Sequence, residues 1–592
     1  MNYHFYPRNI TYVCITLVAL LWFGALILRA ADRYVVEPGT PGGTNAGNFT
    51  DWSIAATQIQ WAVDKAVDDN DTVWVSNGVY VLTNQISITN GIILRSAEGH
   101  GRDDTIINGG YVAGSATTNN RCLLISNASA FVHGFTISNG AVKIANSYEG
   151  GGGAWIYSGT LSNCTLRNNT VFALINSSAG GGGGGIFINA GTVMAARITG
   201  NIVTNIANYY GFGGGIYAKG DTSVLIYNCT IDNNNILATN APSGAYTAYG
   251  GGIYMSGYSR VESTIISNNT TILQGFGGGV NMYGSDTVLD NCTITSNYAG
   301  YGGGIRIDGG RVTNCIISYN THGSGRYAAG LCMASANKAR PSYVDNSIIY
   351  SNIAPGYSIV YLGSSSSGSN VMRNCSIVSN KPSSATMMAV GLATTNDYLL
   401  NCDVSANDGL GIYLANGIVR NCRVTGNSNR TTGVDYHGGG MLITPGCTTA
   451  LVSGCTFANN WDTNNGAGIR IEATAAGNLS VSSCIIYSNG VGGTNDVYDA
   501  ASPANINALR YSCVGTNPGF TGAGIIVTNP LFKDFAGGNY RLTPSSPCVN
   551  RGSNEDWMMN AVDLDGRTRI RYGTVDMGAY ERINQGAIYG FH

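Results

Sequence analysis

The chain has 592 residues, among them 83 glycines, and only 11% of its residues are charged. Average proteins contain about 7% glycine and about 25% charged residues, so an ordinary globular composition is excluded. With 44% hydrophobic residues the chain has enough apolar surface to fold, which excludes an intrinsically disordered protein. Its formal net charge of −2 offers no counterion-release drive, so we expect no nucleic-acid partner.

The N-terminus has the layout of a secretory signal peptide, which we assign to residues 1–31. Arg8 precedes a nearly unbroken apolar run from Ile10 to Leu28. A run of this length could instead stay in the bilayer as a signal anchor. In both cases we expect Sec-dependent export to the exterior or the cell surface, with no stable membrane partner unless the segment remains uncleaved.

Residues 32–70 are predicted to cap the fold that follows. The spacing of apolar residues such as Ile59, Val63 and Ala66 predicts a helix over residues 54–68. Such a helix would cover the open end of a sheet that would otherwise aggregate.

A repeat with two fixed points occupies most of the remaining chain. One fixed point is the pattern Asn-Cys-x-aliphatic-x-x-Asn, as in Asn291 to Asn297. Its last Asn marks the register at Asn169, Asn201, Asn234, Asn268, Asn297, Asn320, Asn352, Asn380, Asn407, Asn427, Asn460 and Asn489. The second fixed point is a glycine cluster before an aliphatic residue, as in Gly304-Ile305. A period of this length indicates a solenoid or a similar array.

The repeat predicts an all-β fold, a single parallel β-helix over residues 71–528. Apolar residues alternate after each fixed point, so that Ile305 and Ile307 face inward while Arg306 faces outward. The Asn marks are expected to stack from turn to turn. The repeated Cys occupies an inward position, which favours free buried thiols over the disulfides also possible in an exported chain.

Loop length varies on one side of the coil only, between each Asn mark and the next glycine cluster. Variable loops on one side of a solenoid commonly carry binding function. Residues 235–251 and 202–212 are therefore the first places to look for a ligand.

The glycine-cluster and Cys-Thr-Ile-x-x-Asn units resemble the right-handed parallel β-helix of the pectate lyase superfamily, over roughly residues 70–530. They also resemble polymorphic outer membrane protein repeats. The segments Asp563-Leu564-Asp565-Gly566-Arg567 and Asp576-Met577-Gly578-Ala579-Tyr580-Glu581 resemble the choice-of-anchor Q domain. This resemblance implies a small C-terminal capping or anchor-type domain over residues 529–582, followed by a tail over residues 583–592.

A row of outward aromatic residues on the strands after the glycine clusters is a candidate ligand-binding surface. It comprises Trp155, Phe187, Tyr217 and Tyr254, and Arg306 follows further along the row. Exposed rings suit the apolar faces of sugars. The alternative is that the long loops fold back over these rings and bury them as a satellite core.

The resemblance to polysaccharide lyases implies an Arg or Lys base together with a cation that neutralises a uronate. Residues of suitable types occur late in the coil, with His437, Arg470, Asp435 and Arg423 as catalytic candidates beside Asp403, Trp461 and Asp462. The alternative is that Asp403 and Arg423 form only a surface ion pair.

No resident cofactor or metal is expected, although a lyase could use calcium. Candidates for metal ligands are Asp563, Asp565 and Asp576, and a structural ion network with the nearby arginines is the alternative. The favoured function is extracellular recognition of a glycan or cell surface. A polysaccharide lyase or related carbohydrate-active enzyme acting on acidic polysaccharide is the alternative, and the sequence leaves enzymatic activity open.

Overall fold

The computed structural model describes residues 30–113, 120–144, 150–173, 181–205, 210–238, 248–272, 274–323, 327–335, 340–363, 368–382, 388–429, 437–462, 466–472, 478–490, 496–500, 507–516 and 519–583. These residues form one parallel β-helix in which each turn contributes strands to three faces. The all-β fold class and the right-handed parallel β-helix are thereby confirmed.

A 30-stranded parallel sheet supplies two adjacent faces. The first face consists of the strands Ile86–Ile88, Ile186–Ile188, Ile216–Ala218, Ile253–Ser256, Val280–Tyr283, Ile305–Asp308, Leu331–Met333, Ser358–Leu362, Met388–Leu392, Leu410–Leu414, Met441–Ile443, Ile469–Ile471 and Val497–Asp499. The second face consists of Asp32–Val35, Thr72–Val75, Ile93–Ser96, Gly191–Met194, Val224–Tyr227, Ser259–Glu262, Val288–Asp290, Gly310–Thr313, Ser342–Asp345, Asn370–Arg373, Asp397–Leu400, Gly417–Arg420, Thr449–Ser453, Asn478–Ser482 and Leu509–Arg510. Two long strands, Leu123–His133 and Ala154–Ser162, contribute to both faces.

A second parallel sheet forms the third face. Its strands are Gly78–Val81, Thr105–Asn108, Thr136–Ser138, Thr165–Arg167, Arg197–Thr199, Thr230–Asp232, Ile265–Ser267, Thr293–Thr295, Ile316–Ser318, Ile348–Tyr350, Ser376–Val378, Asp403–Ser405, Arg423–Thr425, Thr456–Ala458, Ile485–Tyr487, Cys513–Val514 and Ile526–Val527. Inward residues of all three faces, such as Ile305 on the first, Val312 on the second and Ile294 on the third, are fully buried in one continuous core. Burial of each such side chain contributes roughly 1.5 to 3 kcal/mol to the stability of the folded state.

Short strands also form between the third face and the next first-face strand, along a side of the coil that we call the loop edge. They are Ala141–Ile144, Thr170–Ala173, Ile202–Asn205, Asn235–Ala238, Gly181–Gly182, Gly211–Phe212, Ala248–Tyr249, Tyr298–Ala299, Thr321–His322, Ile353–Ala354, Lys381–Pro382, Ser428–Asn429 and Trp461–Asp462. They pair in parallel from turn to turn and enclose small satellite cores outside the main one.

The N-terminal helix is Ile59–Lys65, shorter than the predicted range 54–68. Residues Trp52–Ile54 form a separate 3₁₀ turn, and Ala56 pairs with Val35 in a β-bridge, so the chain is extended before the helix. The helix ends at Lys65, and the backbone of the following residue, Ala66, is extended. Its buried face packs on the main core.

A ladder of asparagine side chains runs along the corner between the third face and the loop edge. Its members are Asn169, Asn201, Asn234, Asn269, Asn297, Asn320, Asn352, Asn380, Asn407, Asn427, Asn460 and Asn489. In each step the backbone N and Nδ2 of one Asn donate to Oδ1 of the next, as from Asn269 to Asn297 at 2.9 and 3.1 Å. The buried carboxyl of Asp496 accepts both bonds from Asn489 and ends the ladder.

The prediction of Asn268 as the fourth ladder member is wrong by one residue, because Asn269 occupies the position. Asn268 instead adopts the left-handed conformation, with φ +54°, that the chain needs immediately before each ladder residue. Asn tolerates this conformation. The sequence alone therefore does not distinguish which of two adjacent asparagines is the ladder residue and which is the left-handed residue before it.

The repeated cysteines are buried, and no disulfide joins them in the described residues. The expected free thiols are therefore what the structure contains. Their Sγ atoms lie near backbone carbonyl groups, as at 3.1 Å between Cys315 and Thr313. Burial raises the pKa of the Cys122 and Cys164 thiols to about 12.

The C-terminal segment, residues 529–583, packs against the third face of the last turns. Its antiparallel hairpin is Phe532–Asp534 with Asn539–Leu542, and a 3₁₀ turn follows at Asp556–Met558. Met577, Ala579 and Tyr580 of this segment form a second apolar cluster with coil residues Ala458 and Ile485.

Candidate functional site

The predicted aromatic row exists in register but is largely buried. Trp155, Phe187, Tyr217 and Tyr254 pair on consecutive turns of the first face. Phe187, Tyr217 and Tyr254 are only 1, 6 and 8% exposed. The alternative of a satellite core therefore applies to these three residues, and a glycan cannot reach their faces. Trp155 is half-buried and donates its Nε1 proton to Asn189 at 2.8 Å.

A second set of rings, which the sequence analysis missed, begins at this satellite core, where two of its members, Phe212 and Tyr249, pack on the buried rings. We call it the aromatic stripe, and it consists of Phe212, Tyr249, Phe276, Tyr301, Tyr327 and Tyr357 on the loop edge of six turns. Neighbouring ring centroids are 5.5, 5.3, 5.0, 6.1 and 5.2 Å apart in that order. Tyr327 and Tyr357 are each 38% exposed, and the other four rings are half-buried.

The glycine clusters position the stripe. Each of its first four rings directly precedes a glycine with positive φ, as Phe276 precedes Gly277 at φ +63°. Backbone hydrogen bonds join successive turns at this point, as where Gly277 N donates to Tyr301 O at 2.8 Å. Aromatic residues immediately before the glycine cluster were the sequence signal that could have identified the stripe.

Stacking within the stripe determines which part of each ring a ligand can contact. Ring planes of successive members differ by 15 to 34°, so each ring face is turned toward its neighbours along the coil. The accessible surface therefore comes from ring edges and tyrosine hydroxyl groups. Ring edges carry the positive end of the aromatic quadrupole, which suits oxygen atoms of negative charge.

Two polar side chains of the first face lie beside the stripe. Asn281 and Arg306 follow Tyr254 in the same outward row. The Arg306 guanidinium lies 4.5 Å from the centre of the Phe276 ring, and within the described part of the chain no carboxylate pairs with it. Asn281 is fully buried, and neither its Nδ2 nor its Oδ1 has a hydrogen-bond partner among the described residues.

The segments of sequence that form the loop edge around Arg306 contain no Asp or Glu. This holds for the sequence of residues 202–215, 235–252, 270–279, 298–304, 321–330, 353–359 and 381–387, in which Lys381 belongs to the described residues and Arg326 does not. On the other faces, by contrast, Arg260 pairs with Glu262 and Asp290. The loop edge thus combines positive charge with aromatic edges. The parts of the predicted loops at 206–209 and 239–247 lie outside the described residues.

The predicted late catalytic group is divided between different faces. Asp403 and Arg423 are neighbours on the third face, joined at 2.9 Å between Nε and Oδ1 and at 2.5 Å between Nη2 and Oδ2. Arg470 lies on the first face, pairs with Glu472 at 2.6 Å and stacks on Tyr498 at 5.1 Å.

The remaining members of that group lie at the loop edge. Asp462 is buried and accepts hydrogen bonds from Asn429 Nδ2 and Gly438 N at 3.0 and 2.9 Å. Trp461 and His437 are half-buried, and Asp435 lies outside the described residues. Residues that follow a repeated Cys belong to the third face, whereas those that follow a glycine cluster belong to the first. Arg423 and Arg470 therefore do not converge on one substrate.

The three carboxylates predicted as metal ligands in the C-terminal segment are engaged by hydrogen bonds or salt bridges with neighbouring protein groups. Asp563 accepts from the backbone N of Asp565, Arg567 and Glu581 at 2.9, 2.8 and 2.7 Å. Asp576 accepts from two backbone N–H groups at 2.6 and 2.7 Å. The third candidate, Asp565, pairs with Arg541 and Arg567.

No group of side chains within the described ranges has an arrangement suited to a metal ion. Among the helices in these ranges, none is long and apolar enough to span a membrane.

These features define a right-handed parallel β-helix protein with a polar and aromatic loop edge. Two overlapping segments, residues 210–366 and 329–509, match the family model described as right handed beta helix region. Together they cover more than half of the chain, and the chain belongs to this family. No curated protein matches it significantly in sequence.

Three solved structures are similar to this chain. One is the A-module of the Azotobacter vinelandii mannuronan C-5 epimerase AlgE6, with 12% identity, a TM-score of 0.30, and coverage of 75% of this chain and 94% of that one. Another is pectate lyase Pel9A, with 12% identity, a TM-score of 0.23 and coverage of 93% and 96%. A third is PfbA, a surface adhesin of Streptococcus pneumoniae, with 11% identity, a TM-score of 0.26 and coverage of 70% and 86%.

Proposed function

We propose that this protein is an exported, non-catalytic recognition protein that binds an acidic glycan of a cell surface along its loop edge. The observation that carries the proposal is the Arg306 guanidinium, which lies beside the aromatic stripe and pairs with no carboxylate among the described residues. The stretch of the loop edge next to it has no acidic residue in its sequence. A guanidinium binds a carboxylate through two parallel hydrogen bonds, which makes Arg the preferred residue for this recognition.

The stripe supports a linear ligand because its members recur on successive turns. Parallel strands are about 4.8 Å apart, so a chain of sugars lying along the coil would contact several rings at once. Tyr301, Tyr327 and Tyr357 would offer hydroxyl groups to it, and the positive ring edges would favour its carboxylates. The proposal assigns export to the N-terminal segment and needs no cofactor.

A lyase is not our preferred function, because the structure separates its candidate residues. Proton abstraction beside a carboxylate requires a base and a neutralising cation at the same sugar. Arg423 already binds Asp403 on the third face, and Arg470 binds Glu472 on the first. The loop edge near Arg306 contains no carboxylate that could hold calcium.

Affinity electrophoresis through gels containing polygalacturonate, alginate or neutral dextran tests the proposal. Arg306→Met keeps an apolar stem on Phe276 but removes the charge. The matched control is Arg260→Met, which removes an arginine from the second face. We expect retardation of the wild type in an acidic gel only, and an affinity about tenfold weaker for Arg306→Met, since hydrogen bonds to charged groups contribute about 1.5 to 3 kcal/mol.

The control should bind within about twofold of the wild type, a difference well below 1.4 kcal/mol. Equal retardation of Arg306→Met and the wild type would contradict the proposal. Equal retardation of the wild type by dextran and the acidic polymers would contradict it as well.

A further inference from the structure

A cleft lies where the C-terminal segment meets the third face, which is a different side of the coil from the loop edge that carries the aromatic stripe. Its volume is about 500 Å³, within the range of about 300 to 1,000 Å³ that is usual for small-molecule sites. The lining residues are Asn346, Asn374, Cys375, Ser376, Asn401, Asp403, Arg423, Arg541, Val562, Asp563, Leu564, Asp565, Gly566 and Tyr580. One wall thus comes from the coil, and the other comes from the C-terminal segment.

Both guanidinium groups of the cleft are already neutralised. Arg423 is bound to Asp403 through Nε and Nη2. Arg541 forms the same kind of bidentate salt bridge with Asp565, and this pairing lowers the pKa of the Asp565 carboxyl group. The Tyr580 ring belongs to the same lining, with the Arg541 guanidinium 4.9 Å from its centre. The cleft therefore offers fixed donors and acceptors with little positive charge to attract an anion.

The coil contributes a row of carboxamides at the rim of the cleft. Asn346, Asn374 and Asn401 occupy the corner before the third face on three successive turns, with φ of 51, 54 and 53°. Asn374 Nδ2 donates to Asn346 Oδ1 at 3.2 Å. Asn401 Oδ1 accepts from Asn421 Nδ2 at 2.9 Å. These bonds fix the amide planes and leave further donor and acceptor positions on each group.

We propose that this cleft binds one uncharged sugar residue. Planar carboxylate, carboxamide and guanidinium groups present paired acceptors or donors, which match the adjacent hydroxyl groups of a sugar ring. The three carboxylates of the lining outnumber its two guanidinium groups, so the cleft disfavours a uronate or a phosphate. This site shares no residue with the loop edge and does not depend on the function proposed for that edge.

Saturation-transfer NMR on the full chain tests this inference with free sugars as probes. The neutral probes are the methyl glycosides of glucose, galactose, mannose and N-acetylglucosamine, and glucuronate and galacturonate are their charged counterparts. Asn374→Gly and Asn346→Gly each remove one carboxamide while keeping a residue that tolerates positive φ. Asn291→Gly is the matched control, because Asn291 has φ 52° at the same corner but lies outside the cleft lining.

We expect at least one neutral glycoside to bind more tightly than both uronates. Asn374→Gly and Asn346→Gly should weaken this binding about fivefold, as expected for a lost hydrogen bond worth about 1 kcal/mol. Asn291→Gly and Arg306→Met should leave it unchanged, which separates this site from the loop edge. Circular dichroism and melting curves establish that each variant is folded.

Four results would overturn the inference. The first three are the absence of saturation transfer to all four neutral glycosides, tighter binding of a uronate, and unchanged binding by both cleft variants in the folded state. Loss of binding in Arg306→Met alone would move the sugar to the loop edge and overturn it too.

Discussion

At the scale of the residue, Asn297 illustrates how the coil fixes its register. Its Oδ1 accepts from both the backbone N and the Nδ2 of Asn269, and it donates to Asn320 in turn. Asn297→Ala removes the acceptor and leaves two buried donors unpaired. We expect a loss of about 2 to 6 kcal/mol in the free energy of unfolding, at roughly 1 to 3 kcal/mol for each of the two unpaired donors.

Urea denaturation with and without the substitution measures this loss. Asn84→Ala is a suitable control, because Asn84 is exposed on the surface. Its midpoint should stay at that of the wild type. A common midpoint for both variants would show that the ladder does not stabilise the coil.

Thiol reactivity is a second property of single residues. Burial raises the pKa of Cys122 and Cys164 from 9.0 to about 12, so the reactive thiolate is suppressed in the folded state. The stabilisation linked to this shift is complete below pH 9 and is lost as the pH rises toward 12. At pH 8 we expect almost no reaction of the native protein with a thiol reagent, and about fourteen reactive thiols after denaturation without reductant.

The number of thiols found after denaturation decides between the two redox states. Two or three reactive thiols under these conditions would indicate disulfides and contradict the buried ladder.

The register of the coil could be predicted from the sequence almost completely, because the same residue types recur at the same places. The exception at Asn268 and Asn269 arose because two adjacent asparagines satisfy both the left-handed position and the ladder position. Only the backbone conformation distinguishes them, with φ +54° at Asn268.

At the scale of the element, several turns depend on a glycine with positive φ that lies three residues before the first-face strand. Gly277 has φ +63°, and a Cβ atom there would lie 2.2 Å from the Val280 carbonyl oxygen. Gly277→Ala should therefore lower the free energy of unfolding by about 2 kcal/mol or more. Gly101→Ala, where a Cβ atom meets nothing within 4 Å, should stay within about 0.5 kcal/mol. Thermal melting of the two variants compares them, and similar melting temperatures would contradict this account of the turn.

The aromatic stripe shows the limit of sequence reasoning at this scale. Alternation along a strand identified Phe187, Tyr217 and Tyr254 as outward residues, and that orientation is correct. Their burial depends on Phe212 and Tyr249, which pack over them from the loop edge. Such packing joins segments of different turns, and strand periodicity carries no information about it.

At the scale of the whole molecule, Arg569 ties the C-terminal segment to the coil. It is fully buried, donates to Asn421 Oδ1 and Gly578 O at 3.3 and 2.8 Å, and pairs with Glu581 at 3.3 Å. Arg569→Met should destabilise the docked segment by about 1 to 3 kcal/mol for each buried acceptor that loses its donor, which are Asn421 Oδ1 and Gly578 O.

Limited proteolysis reports this docking. We expect rapid cleavage within residues 529–583 in Arg569→Met while the coil stays resistant. The exposed Arg551 provides the control variant Arg551→Met, which should be cleaved at the wild-type rate. Equal resistance of both variants would show that the segment is held by other contacts.

The distribution of the predicted catalytic residues over different faces is also a property of the whole molecule. The sequence placed His437, Arg470 and Arg423 in adjacent turns, which is correct along the coil. A turn has three faces, however, and closeness along the axis does not bring Arg423 on the third face to Arg470 on the first.

The central claim is that the coil binds an acidic glycan without cleaving it. The most direct measurement is a binding isotherm of the wild type on polygalacturonate and alginate, with the ultraviolet absorbance of unsaturated uronate products followed in the same samples, with and without calcium. The account predicts saturable binding to at least one polymer and no increase in absorbance. A steady increase in absorbance that His437→Ala or Arg470→Ala abolishes, with folding unchanged, would contradict the account and identify the protein as a polysaccharide lyase.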